Sequence, residues 1–415
     1  MKKKIITLLL LVSLVLSMLT SCNILEGLGS DSSQSSNQTP IFNGTINVEG
    51  GPNYGDINIT TSYNKNLLAA SKALLSVVRV TSAFEEVTSS WLGSSTDKVK
   101  SIGAGVIYKL DKEKGDAYII TNYHVVYDEK SNTSDHISDD IILHLYGLER
   151  PTASGKSYDI PATFVGGSIK YDLAVLKVTG STVLMESDAM ACGVADSDAV
   201  SVLDTAIAIG NSGGDGISAT IGAISVDSEE ISLAIGSANI KVRVMRTDAA
   251  INKGNSGGGL FDDNGDLIGI PNAKDPDGTV DNVGYAIPSN LATAIADNVI
   301  HYSDGTLKRC QLGIWVGVNE YSTKYDTETG KVHKYEEVII TEFTKESQTT
   351  SLLAVGDIIN SITVDGVKKD VTRVHHVVDM MFTARVGSTV VINVLRDGTE
   401  MDVTIPITEK MLSVA

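Results

Sequence analysis

The sequence predicts a mainly β protein: a pair of antiparallel β-barrels over residues 64–303, followed by a small α+β module over 308–410. Three observations predict it. Segments rich in Val, Ile and Thr alternate with Gly, Asn and Asp turns from about Leu74 to Ile287. Glycine is plentiful at 38 residues and proline scarce at 8, which suits short strands joined by tight turns. A fresh β pattern then starts at Gln311 and is interrupted by a helical stretch, Val371 to Ala384. The 415 residues, 42% of them hydrophobic, suffice for two to three domain cores.

The chain opens with Lys2, Lys3 and Lys4 and an apolar run from Ile5 to Leu19. That is a charged region followed by a hydrophobic one of about 15 residues, short of the ~20 that span a bilayer. It ends in Leu19-Thr20-Ser21-Cys22, which resembles the lipobox of bacterial lipoproteins. Residues 1–22 are therefore expected to be a lipoprotein signal with Cys22 lipidated. An ordinary signal peptide or an uncleaved anchor is the alternative. All three place the body of the chain outside the cytoplasmic membrane. Residues 23–63, rich in Ser, Asn, Gln and Gly, are too polar to fold alone and are expected to be a tether, with a weak strand within Ile41–Thr61.

Three segments carry the chemistry. An apolar strand runs through Ala117-Tyr-Ile-Ile-Thr-Asn-Tyr into His124. Asp172 stands at the mouth of another, Leu-Ala-Val-Leu-Lys-Val. Ser256 sits in Lys253-Gly-Asn-Ser-Gly-Gly-Gly259. The chain order His, Asp, Ser is that of chymotrypsin, distinct from subtilisin and the α/β-hydrolases. A serine hydroxyl needs a neutral imidazole to take its proton. The imidazole needs a buried carboxylate to fix its tautomer. The tetrahedral intermediate needs backbone N–H donors, expected here from Gly254 and Ser256. Each signal alone is weak: a histidine after a strand is more often structural, and a glycine-dense loop can be only a turn. The three in one order are strong. His136, His144, His301, His333, His375 and His376 lack the strand-end setting of His124.

Further segments sharpen the picture. Ser101–Ile107, Thr121–Val126, Ala208–Ser212, Thr220–Ser225, Leu267–Ile270 and Val283–Pro288 resemble the successive strands of the HtrA/Deg proteases, trypsin-fold enzymes with C-terminal PDZ domains. The likeness covers roughly 70–300 for the protease and 308–410 for the second module. Tyr123 replaces a usual asparagine, and Ser212 and Gly259 replace usual prolines. These departures put loop geometry, not reacting groups, in question. The resemblance implies a serine endopeptidase that removes unfolded or misfolded exported proteins, assembled as a homotrimer or larger. A catalytically silent, chaperone-like peptide binder of the same fold is the alternative. A purely structural lipoprotein scaffold is a third reading.

In trypsin-like folds the base of the S1 pocket lies six residues before the nucleophile, here Ala250. No acid stands there, so small or medium aliphatic P1 residues are expected, and Asp248 is read as structural. Asn255 replaces the aspartate with which digestive enzymes bind a new N-terminus. The resemblance implies activation by loop rearrangement on substrate or peptide binding instead.

The second module resembles a PDZ domain. A ligand strand would add to a sheet edge. N–H groups of Leu312, Gly313 and Ile314 would hold a terminal carboxylate, and Ile314, Val374 and Val378 the last side chain. Core filling by Leu312 and Ile314 is the plainer alternative. The run Tyr321–Glu337, polar and charged, reads as a solvated loop.

A net charge of −18 argues against nucleic-acid partners and against anionic lipid surfaces without a tether. Cys22, Cys192 and Cys310 make no disulfide framework, and no clustered His/Cys ligands imply a metal or other cofactor.

Overall fold

The computed structural model describes residues 62–90, 93–274, 282–302 and 304–415. The leader, Cys22, the tether up to Thr61 and the weak strand expected there lie outside these residues. Helix α1 (Ser62–Leu74) begins the described chain and buries Ala69 and Ala73.

Six strands follow: β1 (Val77–Ser90), β2 (Gly93–Asp111), β3 (Asp116–Thr121), β4 (Asp140–Leu145), β5 (Ile160–Ser168) and β6 (Leu173–Val178). They close into an antiparallel barrel in the order β1-β2-β3-β6-β5-β4. Alternate residues point inward, so Val78, Val80, Ile119, Leu143 and Leu176 fill the interior. A one-turn helix, α2 (Tyr123–Val126), follows β3, and α3 (Thr182–Glu186), capped by the Ser181 side chain, follows β6.

The second barrel comprises β7 (Gly193–Val194), β8 (Thr205–Gly210), β9 (Ser218–Ile235), β10 (Ala238–Thr247), β11 (Gly259–Phe261), β12 (Asp266–Lys274) and β13 (Gly284–Pro288). Its order is β11-β8-β9-β10-β13-β12-β7, and a β11–β12 pairing closes six of these strands into a ring. Phe261, Leu267, Ile270 and Ile287 are fully buried inside. Helix α4 (Ser289–His301) leads out, packing against β5, β6 and β12.

The remaining chain forms β14 (Lys308–Cys310), β15 (Ile314–Tyr325), β16 (Val332–Phe343), β17 (Ile358–Val364), β18 (Val367–Asp370), helix α5 (Val374–Met380), β19 (Thr389–Arg396), β20 (Thr399–Pro406) and β21 (Leu412–Val414). The main sheet runs β15-β16-β17-β19-β20, with β18 on β17 and a separate β14–β21 pair. Val377 of α5 joins Val338, Ile340, Ile362 and Ile392 in its own core. This is the small α+β PDZ arrangement the sequence predicts.

The run Tyr321–Glu337 is not a loop. It is the outer half of the β15–β16 hairpin, paired from Tyr321↔Glu336 to Tyr325↔Val332. Both faces there are polar, so no apolar alternation marks the strands. Nor is it free in solvent: Lys331 pairs with Asp204 at 2.6 Å and Lys334 with Asp227 at 2.9 Å, both on the second barrel. Arg373 bridges Asp227 and Glu336 at 3.1 and 3.2 Å. Arg243 of β10 pairs with Asp379 of α5, and Asn298 of α4 donates to the Lys308 and Phe382 carbonyls at 2.7 Å. The third module is thus tied to the barrels by charge and by buried backbone contacts.

Cys192 and Cys310 are free thiols. Burial pushes both up to about 12, which leaves them protonated and unreactive.

Candidate active site

Strand β3 ends in Thr121 and Asn122, both fully buried, and α2 turns off it. Val125 and Val126 of α2 insert into the first barrel, which leaves His124 on the open side with its side chain 32% exposed. Across from it, a tight turn over Ile169–Tyr171 delivers Asp172 to the start of β6. Asp172 adopts a left-handed backbone, φ 50° and ψ 42°, a region that aspartate tolerates better than most residues.

The Asp172 side chain is wholly buried, so its charge needs partners. His124 supplies them. Its backbone N–H donates to Asp172 Oδ1 at 3.1 Å, and Nδ1 lies 3.0 and 2.9 Å from the two carboxylate oxygens. Burial alone would lower the His124 pKa. The Asp172 charge and hydrogen bond outweigh it and hold the imidazole above its ordinary value. With Nδ1 engaged, Nε2 is the nitrogen left for chemistry, and no described hydrogen bond occupies it.

Ser256 lies in the loop between β10 and β11 of the second barrel. Its carbonyl accepts from Ala104 N–H at 2.9 Å, which ties the loop to β2 of the first barrel. Gly257 presses closer: a Cβ there would sit 2.2 Å from Thr121 Oγ1 and 2.8 Å from Asn122 N. The serine loop therefore crosses the end of β3, two residues from His124. Gly254 has φ +97°, and a Cβ would meet the Asn211 carbonyl at 2.0 Å, so only glycine fits. Its own carbonyl accepts from Asn211 N–H at 3.1 Å. The N–H groups of Gly254 and Ser256 donate to no described backbone acceptor.

Ser256 Oγ donates to the Asn272 carbonyl at 3.4 Å, not to His124. Beside His124 opens a cleft of ≈ 430 Å³, lined among others by Tyr127, Lys130, Leu233, Ile235 and Asn272. The β9–β10 tip walls it, held by Ser237 N–H to Glu129 Oε2 at 2.7 Å.

Ala250 is exposed, and its carbonyl accepts from Thr220 Oγ1 at 3.0 Å and Asn255 Nδ2 at 3.2 Å. Asp248 accepts from Ala223 N–H at 2.6 Å, a tie between strands. Among the remaining histidines, His144 pairs with Asp159 at 2.7 Å on β4, away from the serine loop, and His136 bonds the Ser131 carbonyl.

Three asparagines escaped the sequence reading. Asn122 Nδ2 donates to the Asp172 carbonyl at 2.8 Å, Asn211 braces Gly254, and Asn272 receives the serine. The one signal was position: Asn122 stands two residues before the histidine.

A second candidate site lies in the third module. β15 is the free edge of its sheet, and an apolar groove of ≈ 470 Å³ runs between it and α5. Ile314, Trp315, Val374 and Val378 line the groove, while Leu312 is buried in the core beneath. Gly313 has φ +71°, and the N–H groups of Leu312 and Gly313 donate to no described backbone acceptor.

Residues 103–270 match the model of the trypsin-like peptidase domain. Over 320 residues the chain is 31% identical to the periplasmic serine endoprotease DegP of Escherichia coli K12, a match spanning 75% of this chain and 58% of DegP. The chain carries a trypsin-like peptidase domain and is homologous to the HtrA/Deg serine proteases. The Do-like HtrA of Bacillus subtilis is 33% identical over 245 residues, 57% of this chain and 49% of that protein. The HtrA-type protease AlgW solved with a tripeptide superposes with a TM-score of 0.50 at 27% identity, covering 84% of this chain and 98% of the other. The same protease with a decapeptide gives 0.50 at 25% identity, covering 83% and 98%. The chain spans about 58% of the length of the first of these curated HtrA/Deg relatives.

Proposed function

We propose that this chain is an extracytoplasmic serine endopeptidase, with Ser256 as nucleophile, His124 as general base and Asp172 as the group that orients it. The observation that carries the reading is the double contact of His124 Nδ1 and N–H with the buried Asp172 carboxylate. It fixes the tautomer in which Nε2 accepts a proton.

On substrate binding, Ser256 Oγ leaves the Asn272 carbonyl and turns to His124 Nε2. Nε2 takes its proton as Oγ attacks the peptide carbonyl. The oxyanion falls to the N–H groups of Gly254 and Ser256. His124 then returns the proton to the leaving amine, and water enters by the same route to release the acyl group. The absence of an acidic side chain at position 250 favours small or medium aliphatic P1 side chains. A peptide C-terminus adds beside β15, its carboxylate on the N–H groups of Leu312, Gly313 and Ile314 and its last side chain against Val374 and Val378.

The substrates are unfolded exported polypeptides, and the chain is held at the membrane through Cys22 and works as a homo-oligomer, trimeric by family likeness. DegP is named a periplasmic serine endoprotease, and AlgW was solved with peptides, which supports an extracytoplasmic protease that takes peptides. The domain division is 1–22, 23–63, 64–303 and 308–410.

Unfolded casein should be cleaved by the wild-type chain and spared by Ser256→Ala. Equal cleavage by both would refute the assignment. The silent, peptide-binding alternative has an outcome of its own. Peptide binding with no casein cleavage under any activating peptide would establish it.

A further inference from the structure

Docking of the third module on the second barrel brings together residues nearly 180 positions apart. Asp198 lies in the short turn Ser197–Ala199 between β7 and β8, and His375 and His376 lie in α5. His375 Nε2 is 3.4 Å from Asp198 Oδ1, and His376 Nε2 is 3.5 Å from Oδ2. One donor atom from each of the three residues falls within 4.8 Å of the others.

These spacings are long for hydrogen bonds, which cluster near 2.7–3.2 Å. They match ligands that share an ion. Two donors each about 2.0–2.2 Å from a tetrahedral zinc stand roughly 3.3–3.5 Å apart. The rings meet edge to face, centroids 4.7 Å apart at 89°, so both Nε2 atoms reach one carboxylate without stacking.

Outer partners orient the set. His376 Nδ1 lies 3.2 Å from both the Asp370 carbonyl and the Thr372 N–H, which leaves Nε2 as the nitrogen that faces Asp198. Asn290 Nδ2 donates to Asp198 Oδ2 at 2.9 Å and to Asp196 Oδ1 at 2.6 Å. One cation competes: Lys369 Nζ lies 2.7 Å from Asp198 Oδ2. It also lies 3.3 Å from Asp196, onto which it can swing.

We propose that Asp198, His375 and His376 form a binding site for a divalent transition-metal ion that staples the peptide-binding module to the second barrel. Two imidazoles and a carboxylate suit Zn²⁺, with water as the fourth ligand. The sequence shows no ligand cluster because only docking assembles it.

The test uses the full chain without a histidine tag, treated with chelator. Zn²⁺ is titrated by calorimetry and Co²⁺ by visible absorption, and thermal unfolding is followed with and without Zn²⁺. One saturable Zn²⁺ per chain, Co²⁺ bands of a low-coordinate site and a raised Tm are expected. His375→Gln and His376→Gln should each weaken binding by more than the roughly 10–100-fold that loss of an outer partner costs. Lys369→Ala should tighten it several-fold, by removing the competing cation. Circular dichroism checks the fold of each variant. Absence of a saturable site in the wild-type chain overturns the proposal whatever the variants do. So does Zn²⁺ binding that survives in the double histidine variant, since the ion would then sit elsewhere.

Discussion

The ring of Phe382 stands edge-on to Tyr171, centroids 5.2 Å apart at 89°, and Tyr171 immediately precedes Asp172. Phe382 follows α5 and is fully buried, while Arg309 reaches the Tyr171 hydroxyl at 3.3 Å. Met381 and Arg309 also line the peptide groove. The groove and the Asp172 turn thus share one packed contact. Phe382→Ala should cost about 3–5 kcal/mol, as for other buried aromatics. Phe382→Leu should cost clearly less. Urea midpoints at constant slope would measure this; a loss below about 1 kcal/mol for the alanine variant would show that the ring does not anchor the module.

The His124 imidazole sits above its ordinary value of 6.5 because the Asp172 charge outweighs burial. The proposed general-base role needs it neutral, so kcat/KM should fall on acidification with an inflection above 6.5. Asp172→Asn removes the charge and leaves burial, which must move the His124 titration downward. Proton NMR of the histidine ring in a Ser256→Ala background would follow it. An unchanged titration in the Asn variant would contradict the electrostatic account.

Asn122 holds the Asp172 carbonyl by a buried 2.8 Å bond. Asn122→Ala should lower kcat by about 5- to 150-fold, the equivalent of roughly 1–3 kcal/mol for a buried hydrogen bond, with little change in KM. A rise in KM at constant kcat would place Asn122 in substrate binding instead.

Much of this was legible in the sequence, for a physical reason. His124 and Asp172 each flank an apolar strand, and Ser256 lies among glycines, so local pattern reports local setting. The barrel strands betray themselves through inward alternation. Asn122, Asn211 and Asn272 act only through partners from distant segments, and their neighbours say nothing of that. The hairpin over Tyr321–Glu337 was misread as a loop because both its faces are polar. The Asp198–His375–His376 cluster was invisible because it spans two modules.

Trp315 lines the groove and is 61% exposed, so its fluorescence can report occupancy. A peptide with an apolar C-terminal residue and a free carboxylate should shift its emission and saturate. Val378→Asp should weaken that binding by about tenfold or more, since it sets a charge into an apolar pocket. Equal affinity for the amidated peptide would argue against carboxylate capture at Leu312 and Gly313.

The most direct test is intact-mass and peptide-mapping spectrometry of the full chain after reaction with a fluorophosphonate. A single adduct on the peptide containing Ser256, absent in Ser256→Ala and strongly slowed in His124→Ala, is the predicted result. No adduct with or without an activating peptide, or one formed equally fast without His124, would contradict the joint action of these residues.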